Sequence, residues 1–384
     1  MARIAYALTD QGRGHTSRVS AVAELLEERG HELVFVCGGS AREAMLDAGR
    51  EVLEVPVLRH TLRNNRLLLW RSLGQMIATH LRAHGALARL TRQLRDLAPD
   101  LVITDFEMYS AHAARRLGIP CLTFNHQSVL THARCEIPPG HRIDHLFTRA
   151  IVGIAGPRRP VHTLVTALFS PEVCHPDRTT VVGPILRRVV LETRPSPGDE
   201  VVVYHNDPTG FDWFVDLLGS FPGTRFVLFN FDVGHGGAAA RRHDNVRFAE
   251  ASTEGFLRAL AAAHAVISTA GYTLMCEALY LRKPHLVLPN RANLEQALNA
   301  ACLARSGLGE AVMSGRPRRE DIAGFLNRAR GYAERLDRHV LPLGNDAAVR
   351  CIEQVIARTQ EVTRPPRVAP IASPGAAHRP AGPS

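Results

Sequence analysis

Short apolar runs alternate with amphipathic stretches along most of the chain, and the alternation comes in two rounds. In the first, 3-RIAYAL-8 reads as a buried strand, the polar turn 9-TDQGRGH-15 follows it, and the apolar spacing over 16–29 predicts a helix. The runs 32-ELVFVCGG-39, 100-DLVITD-105 and 120-PCLTFNH-126 are further strands ending in glycine or polar residues, with the helical 110-SAHAARRLG-118 between the last two. An Arg/Leu-rich stretch over roughly 60–96 also reads as helical. Such alternation builds a parallel sheet with helices on both faces.

Around 186–199, proline and charge interrupt the pattern in LRRVVLETRPSPGD, which places a linker there. The alternation restarts with strand 200-EVVVYH-205, loop 206-NDPTG-210, a helix over 211–219, strand 225-RFVLFN-230, a Gly-rich turn, strand 246-VRF-248, a helix over 253–263 and strand 265-AVIST-269. The fold class is therefore α/β, with two Rossmann-like domains at 1–187 and 200–344, a linker at 188–199 and a closing helix at 345–361. The Pro/Ala-rich tail over 362–384 has a composition that predicts disorder.

Composition narrows the chemistry. No apolar run reaches the roughly 18–20 residues needed to span a bilayer, and MARIAYALTD enters a strand without a signal-peptide core, so a cytoplasmic protein is expected. The seven cysteines form no Cys-x-x-Cys pair, which points to neither a disulfide framework nor a zinc site. The formal charge of +9 comes almost entirely from dispersed arginines, without an aromatic-basic platform for nucleic acid. Lys283 is the only lysine and lies in Arg-Lys-Pro, so neither a phosphate-binding P-loop nor a pyridoxal Schiff base is attractive.

Two constellations remain. In 9-TDQGRGHTSR-18, a strand feeds the Gly12-x-Gly14 turn into a helix N-terminus, where backbone N–H groups and the positive helix end converge. Ser17 stands where a dinucleotide fingerprint would need its third glycine. His15 has two readings, a helix cap or a general base working near neutral pH. Asp105, at the end of its strand, either orients that imidazole or caps the helix that follows. Glu107, His126 and Gln127 lie on the same sheet edge, within reach of a substrate. In 269-TAGYTLMCEALYLRKPHLVLPNRANLEQALNA-300, a second helix N-terminus begins at Gly271-Tyr272-Thr273. Glu277 lies one turn on and suits two vicinal hydroxyls unless it is simply a surface glutamate. Glu295, Gln296 and Asn299 then form a hydrogen-bonding set for sugar hydroxyls.

That order resembles the donor half of GT-B glycosyltransferases of the family 28 type, which include the N-acetylglucosaminyltransferase acting on the lipid intermediate of peptidoglycan and, more distantly, glucuronosyltransferase-like enzymes. The likeness is greatest to a sparsely characterised bacterial and archaeal branch. It rests on the Gly-x-Gly-His-x-x-Arg start ending at Arg18, on 103-ITDFE-107, 118-GIP-120 and 125-NHQ-127, and on the run from 271-GYT-273 to 299-NA-300. It covers the chain up to about residue 358.

The resemblance implies two domains facing an interdomain cleft, with Gly271, Tyr272 and Thr273 at the donor diphosphate, Glu277 on the ribose, and Glu295 and Gln296 on the sugar. It also implies that the loop beginning at Asn206 approaches the phosphates and that the turn near Phe248 holds the base, usually uracil. His15 becomes the acceptor-activating base, or a contact to acceptor or phosphate, with Asp105 behind it. Ala270 departs from the family, which usually carries a second glycine there.

No Asp-x-Asp occurs, in keeping with a metal-independent, inverting transfer that needs no cofactor and uses the nucleotide-sugar as co-substrate. The basic-apolar stretch 58–95 leaves two acceptor classes open. A lipid-linked acceptor would accompany peripheral binding to an anionic membrane face, whereas a small molecule or saccharide would leave the stretch packed on its own domain. The segment 131–170 is expected to complete the acceptor wall. A nucleotide-sugar hydrolase or epimerase on the same fold, or a non-catalytic nucleotide-sugar binder, are the alternatives.

Overall fold

The computed structural model describes residues 1–10, 13–57, 62–63, 66–67, 74, 84–205, 212–231, 243–250, 252–291 and 293–363. Its first half runs β1 (Arg3–Leu8), α1 (Arg13–Glu28), β2 (Glu32–Cys37), α2 (Gly39–Asp47), β3 (Val52–Glu54), β4 (Leu62–Arg63), β5 (Arg66–Leu67) and α3 (His84–Leu97). It continues through β6 (Leu101–Asp105), α4 (Met108–Leu117), β7 (Cys121–Asn125), α5 (Val129–His132), α6 (Arg142–Ala155), β8 (His162–Thr166) and β9 (Thr179–Val182). Seven strands form one sheet in the order β3-β2-β1-β6-β7-β8-β9, in which each strand pairs parallel with its neighbours. Because helices cover both faces, strands such as β6 and β7 are buried at every position and read as unbroken apolar runs. Strand order reverses between β1 and β6, and the crevice beyond their carboxyl ends is where such sheets bind ligands.

After α7 (Arg188–Glu192) the plan repeats: β10 (Glu200–Tyr204), α8 (Asp212–Gly219), β11 (Arg225–Phe229), β12 (Val246–Phe248), α9 (Thr253–Ala262), β13 (Ala265–Ser268), α10 (Tyr272–Tyr280), β14 (His285–Val287), α11 (Leu294–Ser306), β15 (Gly309–Ala311) and α12 (Arg319–Arg338). The six-stranded parallel sheet β12-β11-β10-β13-β14-β15 reverses order between β10 and β13. The last helix, α13 (Asn345–Thr363), returns to the first half and buries Val349, Ile352 and Val355 in the core beneath β1 and α1. At the crossing, the Asn345 side chain clips both polar groups of the Leu186 backbone, accepting from its N–H at 3.1 Å and donating to its C=O at 2.8 Å.

Two expectations are corrected here. The Arg/Leu-rich stretch is not helical from residue 60: β4 and β5 pair antiparallel, and the sequence between them is Asn-Asn, a pair that favours turns. Within it, α3 turns Leu87, Leu90 and Leu94 into the core of its own domain and leaves Arg89, Arg92 and Arg95 exposed. Most of residues 58–83, like 364–384, lies outside the described residues. Finally, the stretch read as a linker contains the helix α7, whose Val190 packs into the second domain's core.

Candidate active site

The two strand-order reversals face each other, and the helix N-termini beyond them touch. A Cβ on Gly14 of α1 would meet Thr273 Oγ1 of α10 at 2.8 Å, so a larger residue there would force the Thr273 side chain to shift. Around it runs a line of polar side chains crossing from one domain to the other. Nδ1 of His15 lies 2.9 Å from Oδ1 of Asp105, and both residues are buried. Nε2 of Gln127, just beyond β7, lies 3.3 Å from His15 Nε2 and donates to Glu295 Oε2 at 3.1 Å, across the cleft on α11. With Nδ1–H donating to the carboxylate, Nε2 is the ring nitrogen turned towards Gln127 and the cleft. Asp105 stays ionised. Burial pushes its carboxyl up, but the charge of Arg18 and the hydrogen bonds from His15 and Arg18 outweigh this and hold it below the usual carboxylate value.

The structure redistributes several residues of the same edge. Arg18 is not extended towards the cleft, because its guanidinium is buried against Asp105, with Nη2 2.8 Å from Oδ1 and 2.7 Å from Oδ2. Glu107, not Asp105, caps α4: its carboxylate accepts from the N–H groups of Tyr109 and Ser110 at 2.8 and 2.7 Å, so it is committed to the helix rather than to a substrate. His126 is likewise committed. Its Nδ1 lies 2.8 Å from the Thr166 carbonyl oxygen, its Nε2 2.9 Å from Asn299 Oδ1, and its ring stacks on Tyr272 at 3.8 Å. Gly12 lies outside the described residues.

On the second domain, Gly271 is the N-cap of α10 and gives no side-chain cap, and a Cβ there would meet nothing within 4 Å. No side chain caps the first-turn N–H groups, the usual setting of an anion-binding helix start. The Tyr272 side chain points the other way, to Thr166 Oγ1 at 2.9 Å, which leaves its backbone as the part facing the opening. Glu277 is buried, against the reading of a surface glutamate, and pairs with Arg187 Nη2 at 2.9 Å. Burial raises its carboxyl above the ordinary value, against the pull of Arg187.

Glu295 is half-buried at the cleft. Gln296 instead points Oε1 at the Asn290 N–H at 2.8 Å, bracing the loop after β14, and Asn299 donates to the Ala270 carbonyl at 3.1 Å. Both are thus drawn from the sugar-reading set into loop and interdomain support. Phe248 is half-buried on the edge strand β12, edge-to-face with Phe231, and Asn206 lies outside the described residues. The segment 131–170 carries α6, which touches α11 and exposes Ile143 and Leu146. Arg187 escaped the sequence reading altogether. Nothing local in LRRVVL marks it, and its partner is 90 residues away.

The sequence profile of the family described as Glycosyl transferase family 1 matches residues 2–329, which takes in both domains and every side chain of this cleft. The chain belongs to glycosyl transferase family 1. The glycosyltransferase is 23% identical over 334 residues to an uncharacterized glycosyltransferase of Methanosarcina acetivorans, covering 80% of this chain and 84% of the relative.

Solved structures share its GT-B fold. The glycotransferase of kitacinnamycin superposes with a TM-score of 0.63 at 17% identity, over 94% of this chain and 98% of that one. MurG of Acinetobacter baumannii gives 0.59 at 16%, over 92% and 100%. Phytolacca americana UGT2, complexed with UDP-2fluoro-glucose and pterostilbene, gives 0.64 at 15%, over 94% and 100%. At these identities the likeness is one of fold. The matching profile is that of family 1, where the motif resemblance pointed to the family 28 type.

Proposed function

We propose that this glycosyltransferase moves a sugar from a nucleotide-sugar, of the uridine diphosphate class, to an acceptor hydroxyl by a single inverting displacement without a metal. The observation that carries the reading is the polar line across the cleft, which turns His15 Nε2 outward beside the uncapped N-terminus of α10. His15 Nε2 takes the acceptor proton as the acceptor oxygen attacks the anomeric carbon. The bond from that carbon to the diphosphate oxygen breaks, and Asp105 stabilises the imidazolium formed. Charge developing on the departing diphosphate meets the backbone N–H groups of Tyr272 and Thr273 and the positive end of α10.

On this reading Glu277 exchanges Arg187 for the ribose hydroxyls, Glu295 binds the sugar with Gln296 supporting it, Asn206 reaches the phosphates and Phe248 flanks the base. Membership of the family 28 type is part of the proposal and rests on the motifs alone. For the acceptor, exposed Ile143 and Leu146 favour a molecule with an apolar part, lipid-linked or small. Residues 55–95 hold eight arginines and no acid, which supports peripheral contact with an anionic membrane face. Among the described residues, no helix is long and apolar enough to cross a membrane.

Equilibrium binding of UDP, GDP, TDP and ADP in a metal chelator, to wild type, Glu277→Ala and His15→Ala, tests the donor assignment. UDP should bind best, Glu277→Ala should weaken it about tenfold or more, the loss expected of a charge-assisted contact, and His15→Ala should leave it intact. With a UDP-sugar and acceptor, His15→Ala should lose about 10²–10⁴ of kcat. Failure of every nucleotide to bind would remove the donor site, and sugar released to water regardless of acceptor would make the protein a hydrolase.

A further inference from the structure

Asp105 serves two partners. Arg18, one turn after His15 on α1, donates to it through Nε (3.0 Å to Oδ2) and through Nη2 (2.8 Å to Oδ1, 2.7 Å to Oδ2), and the three side chains are packed together out of solvent. An arginine at a helix start beside a nucleotide cleft invites the reading of a phosphate contact, but this one faces inward. We propose that Arg18 is a positioning residue for the base: its guanidinium fork keeps Asp105 ionised and oriented so that Oδ1 takes the Nδ1–H of His15 and Nε2 faces the acceptor. The inference rests on the reading of His15 as the base.

A carboxyl this deeply buried would take up a proton without a cationic partner, and a protonated Asp105 could no longer hold the imidazole in one tautomer. Arg18 Nη2 also stands 3.1 Å from His15 Nδ1. Two donors cannot bond each other, so both hydrogens converge on the Asp105 carboxylate between them. Other titratable groups near the pair are Tyr6 of β1 and Tyr272 and Cys276 of α10, all kept neutral because burial raises their phenols and thiol. His126 is disfavoured from charging by its burial, and Glu295 reaches His15 only through Gln127. Arg18 is therefore the cation directly on the dyad.

The test uses Arg18→Gln and Arg18→Lys in the full chain, with pH profiles of kcat/KM and nitrogen NMR of the His15 ring without ligands. In Arg18→Gln, both the carboxyl that loses its partner and the imidazole that loses a neighbouring positive charge titrate at higher pH. The acid limb should move up by about one unit or more, with donor KM unchanged. Arg18→Lys should return the limb towards wild type while kcat stays reduced, because an ammonium keeps the charge but not the fork. A rise in donor KM with an unmoved limb would make Arg18 a phosphate contact and overturn the proposal.

The wild-type ring should carry its proton on Nδ1 at neutral pH. The opposite tautomer would overturn the proposal even if Arg18→Gln failed to fold. Absence of transferase activity alongside the expected tautomer would sink only the assignment of His15 as base.

Discussion

His285, on β14, is fully buried and donates from Nε2 to Ser268 Oγ at 2.8 Å, while Ser268 passes its own proton to the Thr269 carbonyl and Nδ1 is left without a partner. Nothing there can accept a second ring proton, and burial lowers the imidazole to about 3. The unfolded chain takes up that proton near pH 6.5, so between about 6.5 and 3 it binds more protons than the folded one, and stability falls as pH falls. The expected slope for this group is about 1.4 kcal/mol per pH unit over that window. Denaturant unfolding of wild type and His285→Gln at several pH values should show it lost in the variant, and equal slopes would refute it. His15 and His126 are buried as well, yet they differ: one turns Nε2 towards the cleft, the other has each nitrogen beside a carbonyl-type oxygen of its own fold. In sequence both simply follow a strand in polar company, and only their partners separate them.

At the scale of the element, α4 shows how a motif can carry structure where chemistry was expected. In 103-ITDFE-107 the two acids look equivalent, yet Asp105 closes β6 and turns to the cleft while Glu107, two residues on, becomes the N-cap of α4. Thr104 Oγ1 completes the turn, donating to the Glu107 carbonyl at 2.6 Å and accepting from its N–H at 3.1 Å. Glu107→Ala orphans two first-turn N–H groups and should cost about 0.5–2 kcal/mol in thermal or chemical unfolding, with nucleotide binding retained. Loss of binding at unchanged stability would restore Glu107 to the site. An acid directly before a helix was a readable cap signal. The hairpin of β4 and β5 was hidden for the opposite reason, because its leucines and arginines have helical spacing and only the Asn pair speaks against it.

For the whole molecule, α13 makes the first domain depend on residues that follow the second. Ile352, buried beneath the first sheet, should cost about 2–5 kcal/mol when cut to alanine, measured by denaturant unfolding, and the loss should fall on the first domain's transition. A variant unchanged in stability would mean that α13 is only loosely attached. The same dependence runs through the cleft, where Tyr272, Asn299 and Glu295 of the second domain meet His126, Thr166 and Gln127 of the first.

Strand–helix alternation, the two Rossmann-like rounds, the glycine turns and the placing of His15 and Asp105 at the sheet's carboxyl edge were all readable from the sequence, because periodicity and turn chemistry act between near neighbours in the chain. The roles of Arg18, Arg187, Gln127 and Asn299 were decided only by tertiary structure. Their respective partners Asp105, Glu277, Glu295 and His126 lie 87 to 173 residues away, and which charge meets which carboxylate depends on how two sheets and a returning helix close on one another.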